Sequence, residues 1–263
     1  MSAYASVNGA NVYYEVHGRG RPLVLLHGAL GTIESCFADL LPALAASYRV
    51  VAVELQGHGH TPDVERPLSF GDMAEDVAGL LRLLSIESAD LFGYSMGGGV
   101  GLELAIRRPG VVRRLAYVGG ACYQPSGLYP AVLEGPSSQD SGELDDPRWQ
   151  QAYERVAPDP RDWPRLLEKI TEMDRTFAGW SPDELRSMNT PVLLIIGDSD
   201  IVRPEHTAEM FRILGGGVMA EMAGFSDSQL AILPRTSHVG LLDRVEWLQS
   251  MALTFFGRED SDR

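Results

Sequence analysis

The chain has 263 residues, 44% of them hydrophobic, enough for one globular domain with a sizeable core. A formal net charge of −14 speaks against a nucleic-acid partner, because phosphate binding needs clustered Lys and Arg. No apolar run approaches the roughly 20 residues of a membrane span, and the start MSAYASVNGANVYY has neither a basic nor an apolar leader segment, so a cytoplasmic protein without membrane association is expected.

In chain order, ASVNGANVYYEVHG (5–18) reads as an opening hairpin with Asn8-Gly9 at its turn. PLVLLHG (22–28) is a short continuous apolar run, as expected of a strand buried on both faces of a parallel sheet. FADLLPALAASY (37–48) has apolar residues three and four apart and reads as one helix despite Pro42. RVVAVELQGHG (49–59) is a buried strand ending in a loop. SFGDMAEDVAGLLRLLSI (69–86) is an amphipathic helix, with acids early and Arg82 late as the helix dipole prefers. ADLFGYS is a strand, MGGGVGLELAIRR a helix, and VVRRLAYVGG (111–120) a strand whose short basic run is ordinary surface.

Alternation then stops. Residues 121–188 open with a Pro-, Gly- and Ser-rich stretch read as a loop, YQPSGLYPAVLEGPSSQDSGELDDP, followed by three helical patterns. The last of these begins with Ser181, Pro182 and Glu184 at N-cap, N1 and capping-box positions. TPVLLIIGDSD (190–200) resumes as a strand, RPEHTAEMFRILGGG as a helix, SQLAILPRTSH (228–238) as the last strand and VEWLQSMALTFF (245–256) as the closing helix. Alternating strands and helices predict a mostly parallel α/β sheet with helices on both faces. The expected division is a core of 1–120 and 189–263 with an inserted helical cap at 121–188.

Chemistry-bearing residues gather at strand ends, where open α/β sheets place their ligand crevice. Gly93-Tyr94-Ser95-Met96-Gly97 is a G-x-S-x-G pattern between a strand and a helix, which turns a serine out sharply at a helix N-terminus. Two acids, Asp198 and Asp200, follow the strand LLIIG, and His238 follows the last strand. A serine nucleophile needs a base, and the base needs an acid to hold its tautomer. The order Ser95, Asp, His238 suits a strand–turn–helix nucleophile. Cys36 and Cys122 have no metal-ligand spacing around them, so no metal is expected, and two free buried thiols are favoured over a disulfide.

On these features the chain resembles the α/β-hydrolase family over essentially its whole length. The matching positions are His27-Gly28, Gly57-His58-Gly59-His60-Thr61, Gly93 to Gly97, Gly197-x-x-Asp200 and His238. The resemblance implies Ser95 as nucleophile, His238 as general base and later acid, and Asp200 as triad acid, with Asp198 the rival suited to turning its loop. It implies an oxyanion hole of the Ala29 and Met96 N–H groups, with His27 organising that loop, and it implies no cofactor. Glu54 and Thr61 depart from the Asp and Ser usual in many relatives, in a loop that is structural in the family.

A small-molecule carbonyl substrate follows, with a mainly apolar carboxylic ester as the first expectation. The Ser95-Met96 pair is also similar to C–C bond hydrolases, enol-lactonases and cofactor-free perhydrolases. Tyr94, Phe37, Tyr123, Trp149, Trp180, Val202 and Val239 are the expected pocket wall, each equally suited to plain packing. Arg203 beyond the acid loop reads as an exposed charge. Two other classes compete. A small-molecule receptor on a hydrolase scaffold would bind without turnover. A nucleotide-binding protein would need a glycine signature that His27-Gly28-Ala29-Leu30-Gly31 does not provide. Oligomeric state is open between monomer and homodimer.

Overall fold

The computed structural model describes residues 1–133 and 146–258. Its centre is one eight-stranded sheet of order β1-β2-β4-β3-β5-β6-β7-β8. β1 (Ser2–Val7) and β2 (Ala10–His17) form the expected hairpin, joined by Asn8 and Gly9 at φ 47° and 81°. Two positive φ values are what a two-residue type I′ turn requires. β2 lies antiparallel to β4 (Arg49–Val53), and every later pairing is parallel. Leu23 to Leu26 of β3 (Pro22–Leu26) have no exposed surface, so both sheet faces are covered there.

The single helix expected over 37–48 is instead two short ones, α1 (Ile33–Phe37) and α2 (Leu40–Ala45). Pro42 is the reason. Within a helix through 37–48 its ring would press on the carbonyl four residues back and leave a hydrogen bond unmade. Restarting at Leu40 puts Pro42 in the first turn, where its missing N–H is not needed. α1 starts earlier than expected because Thr32 and Ser35 cap each other's backbone N–H groups.

α3 (Phe70–Leu83) and α4 (Met96–Arg107) pack on each other, and α2 packs on the closing helix α11 (Val245–Phe256). β5 (Ala89–Tyr94) and β6 (Val112–Val118) lead to the inserted helical region, α5 (Pro130–Leu133), α6 (Pro147–Val156), α7 (Trp163–Thr176) and α8 (Pro182–Ser187). The stretch read as a loop there carries a 3₁₀ turn at Pro125–Gly127 and then α5, while its residues 134–145 lie outside the described residues. α8 has the expected capping box of Ser181 and Glu184. β7 (Val192–Ser199), α9 (Pro204–Ile213) and β8 (Gln229–Ser237) complete the sheet, with an unforeseen short helix α10 (Ala220–Ala223) before β8.

The chain moves outward from β3 to β4, then returns past β3 to β5. The reversal leaves a crevice between the ends of β3 and β5, whose register pairs Leu26 with Gly93. The loop after β3 and the serine after β5 therefore meet at the switch point. Among the described residues, no helix is long and apolar enough to cross a membrane.

Candidate active site

Ser95 sits between β5 and α4 with φ 52° and ψ −118°, a backbone conformation that costs a non-glycine residue about 1–3 kcal/mol. Close packing holds it there. A Cβ on Gly93 would collide with the backbone of Gly97 and Gly98, and one on Gly97 with the carbonyls of Leu26 and His27. Two glycines thus let β5, α4 and β3 approach closely enough to pin the turn. The Ser95 N–H donates to the Val118 carbonyl at 2.8 Å, fixing the turn to β6 as well.

His238 follows β8 and is buried. Its Nε2 stands 3.0 Å from Ser95 Oγ, and its Nδ1 stands 2.8 Å from Asp200 Oδ1. Asp200, also buried, takes further donors from the backbone. The N–H of Ile201 reaches Oδ1 at 2.7 Å, and that of Gly120 reaches both oxygens at 3.2 and 3.3 Å. These donors satisfy the lone pairs of a carboxylate cut off from water. Asp198, two residues earlier, points the other way. It is exposed and accepts from the N–H groups of Arg235 and Thr236, spanning the irregular register between β7 and β8. Its carboxyl is held below the usual range by those backbone donors.

The loop after β3 runs beside the serine. A Cβ added to Gly28 would lie 3.2 Å from Ser95 Cβ. His27 shapes this loop. Its Nδ1–H donates to the Gly28 carbonyl at 2.8 Å, and its Nε2 accepts from the Leu55 N–H at 3.0 Å. That second bond requires a neutral ring, and full burial lowers the pKa to about 3. Ala29 follows Gly28 in that loop, and Met96 is the first residue of α4, a position whose N–H has no acceptor within its own helix.

Glu54 has a part that sequence reading did not assign. Buried beneath the loop, it accepts from the Ile33 N–H at the start of α1 and from His60 Nδ1, while Thr61 donates to its carbonyl. Its extra methylene over Asp and the Thr61 hydroxyl tie the loop after β4 to α1. The Gly119-Gly120 pair after β6 also serves the site without having been assigned a part from sequence. Both have positive φ, and their turn delivers the Gly120 N–H to Asp200.

A cavity of about 340 Å³ opens between α1, α6 and the start of α11. Of the expected wall residues, Phe37, Tyr94, Trp149 and Val239 line it, together with Phe92, Val118 and Leu248. Arg148 and Arg155 of α6 and the acids Glu34, Asp39 and Asp243 supply its polar part. Tyr123, Trp180 and Val202 are placed elsewhere. Tyr123 stacks on His206 with ring centres 4.4 Å apart. Val202 bridges to Leu128, and Arg203 beside it is not free, since its side chain donates to the Ser126 carbonyl. Trp180 packs on Phe70 and Phe177 and donates its indole N–H to Glu103. These three fasten the inserted region to the core rather than facing that cavity. Both cysteines are free and buried, and burial pushes Cys36 to about 11 and Cys122 to about 12. Among the described residues, no three His, Cys, Asp or Glu side chains are grouped to hold a metal ion.

A sharply turned serine, a histidine in reach of it and a buried carboxylate behind define the serine-hydrolase arrangement on an α/β sheet. Residues 23–248 match the sequence profile of the alpha/beta hydrolase family, and the chain belongs to that family of hydrolases. It is 24% identical over 279 residues to a 2-hydroxy-6-oxo-6-(2'-aminophenyl)hexa-2,4-dienoic acid hydrolase of Metapseudomonas resinovorans, covering 98% of this chain and 91% of that protein. Its fold is similar to that of a meta-cleavage product hydrolase from Pseudomonas fluorescens IP01, with TM-score 0.74, 21% identity and 97% of each chain covered. It is also similar to the enol-lactonase from Burkholderia xenovorans LB400, with TM-score 0.70, 23% identity, and 97% of this chain and 100% of that chain covered.

Proposed function

We propose that the chain is a serine hydrolase in which Ser95, His238 and Asp200 act together on the carbonyl of a small substrate. The observation that carries this reading is the continuous path Ser95 Oγ, His238 Nε2, His238 Nδ1, Asp200 Oδ1, at 3.0 and 2.8 Å. His238 takes the Ser95 proton as the oxygen attacks the carbonyl carbon. The N–H groups of Ala29 and Met96 receive the developing oxyanion. Collapse breaks the bond to the leaving group, which takes the proton from His238, and an acyl group remains on Ser95. Water then loses a proton to His238, attacks the acyl carbon and releases a carboxylic acid, restoring Ser95.

Among possible substrates, a keto acid cleaved at a C–C bond next to its carbonyl is preferred over a plain apolar ester. The likeness to a dienoic acid hydrolase along nearly the whole chain supports this preference. The cavity offers an apolar part in Phe37, Trp149 and Val239, while Arg148 and Arg155 are matched there by Glu34, Asp39 and Asp243, so its lining favours neither sign of charge. In such a reaction the 2-hydroxy-dienoate first ketonises, its 2-hydroxyl proton passing to C5; attack at C6 and cleavage of C5–C6 then release a dienolate whose C2 oxygen carries the charge until His238 protonates it. The cap, taken as 121–188 over a core of 1–120 and 189–263, contributes Trp149 and both arginines.

The test compares turnover of a 2-hydroxy-6-oxohexa-2,4-dienoate, followed by loss of its dienolate absorbance, with turnover of p-nitrophenyl butyrate. A higher kcat/KM on the dienoate is expected. Fast ester hydrolysis without dienoate turnover would replace the C–C reading by the ester one. Stoichiometric binding with no turnover of either would point to a receptor.

A further inference from the structure

Tyr94 precedes Ser95 in the chain, is buried with 3% exposure, and touches three parts of the site at once. Its ring lies between two glycine backbones. A Cβ on Gly28 would stand 2.8 Å from ring atom Cδ1, and one on Gly119 would stand 3.0 Å from Cε2. Its face stacks on the His238 imidazole, with ring centres 5.3 Å apart and planes 25° apart. Its hydroxyl donates to the backbone carbonyl of His238 at 3.1 Å. A buried phenol is costly unless its hydroxyl finds a partner, and Phe would fill the same space without that demand.

We propose that Tyr94 is a positioning residue that locks the base-bearing loop to the serine turn. The inference rests on the triad reading above and extends it to a residue outside the triad. Asp200 restrains the imidazole at Nδ1, which sets its tautomer and rotation. The main chain of His238 leads into the 3₁₀ turn Val239–Leu241, outside the sheet ladder. The phenol ties that main chain to β5 one residue before the nucleophile. Ser95 Oγ and His238 Nε2 thereby keep their separation when the loops around them move. The ring face adds a second effect, since an imidazolium formed during turnover lies within cation–π reach of it.

The test uses Tyr94→Phe, which keeps the ring and its packing, and Tyr94→Leu, which removes ring and hydroxyl together. Tyr94→Phe is expected to lower kcat roughly tenfold with KM changed less than about twofold, as the loss of one hydrogen bond predicts. Tyr94→Leu is expected to lower kcat on the order of 100-fold. The His238 Nδ1 proton, followed by NMR on histidine-labelled protein, is expected to shift or broaden in Tyr94→Phe while circular dichroism stays unchanged. An unchanged kcat with an unchanged Nδ1 proton in Tyr94→Phe would overturn the proposal. Failure of the hydrolase reading looks different, because the wild-type chain would then be inactive while the NMR arm, which needs no substrate, still reports on the tie.

Discussion

Replacing Asp200 by Asn changes one heavy atom and removes the negative charge behind His238. Asp200 Oδ1 accepts from both the His238 ring at 2.8 Å and the Ile201 N–H at 2.7 Å, while the Gly120 N–H addresses both oxygens. Asn offers one acceptor oxygen and one donor NH₂ in that place. The Ile201 N–H and His238 Nδ1–H share the Oδ1 place, so the amide oxygen stays there and the NH₂ takes the Oδ2 place, against the Gly120 and Gly197 N–H groups. The tautomer is then kept, but the neutral amide no longer supplies the negative charge that stabilises the imidazolium formed when His238 takes the Ser95 proton, and its NH₂ is pressed against backbone donors. The expected loss in kcat is on the order of 10⁴-fold, about 5 kcal/mol of transition-state stabilisation, with KM little changed. Asp198→Asn is the control. Its side chain faces Arg235 and Thr236 backbone on the exposed side of β7, so kcat should fall less than about threefold, the range of a surface change. Steady-state kinetics of both variants on one chromogenic substrate decide the matter. Equal small losses, or a larger loss for Asp198→Asn, would refute the reasoning.

Three further outcomes follow from buried polar groups. Glu54→Ala strands the buried Ile33 N–H and takes the carboxylate from the half-buried His60, and should cost about 2–3 kcal/mol in urea unfolding; a loss under about 1 kcal/mol would contradict its tying role. His27 and His58 are held neutral by burial, with pKa values lowered to about 3 and about 4. The unfolded chain therefore binds more protons below about pH 6.5, so the stability these two contribute is full above that pH and is lost as pH falls toward 4 and 3; the loss for the pair by pH 5 is about 4 kcal/mol. Urea midpoints should fall less steeply with acid in His58→Gln than in the wild type, and parallel slopes would contradict the assignment. Trp180→Phe removes the indole donor to Glu103 and should lower Tm by about 5 °C, measured by calorimetry, whereas an unchanged Tm would mean the contact does not fasten the inserted region.

The candidate site's geometry is legible in the sequence where its demands are local. A serine between Gly93 and Gly97 after an apolar run signals its own turn, because only glycine fits where those backbones meet. Asp200 and His238 follow apolar strands, so their places at one sheet edge come with the α/β pattern. Long-range pairings were less legible. Asp198 and Asp200 flank the same turn, and only the irregular register of β7 and β8 sends one outward and the other to His238. Pattern likewise identified Tyr123, Trp180 and Val202 as large apolar residues near the crevice. Their partners His206, Glu103 and Leu128 are distant in sequence for the first two and lie across an isolated bridge for the third. The break between α1 and α2 was foreshadowed by Pro42, whose cost in a continuous helix outweighs the apolar periodicity around it.

Whether Ser95 is the nucleophile is tested most directly by covalent capture. The wild-type chain, treated with a fluorophosphonate, should gain the mass of one adduct, and peptide mapping should place it on Ser95. Ser95→Ala should gain none under the same conditions. Labelling of Ser95→Ala at the wild-type rate, or an adduct mapped to another residue, would contradict the account.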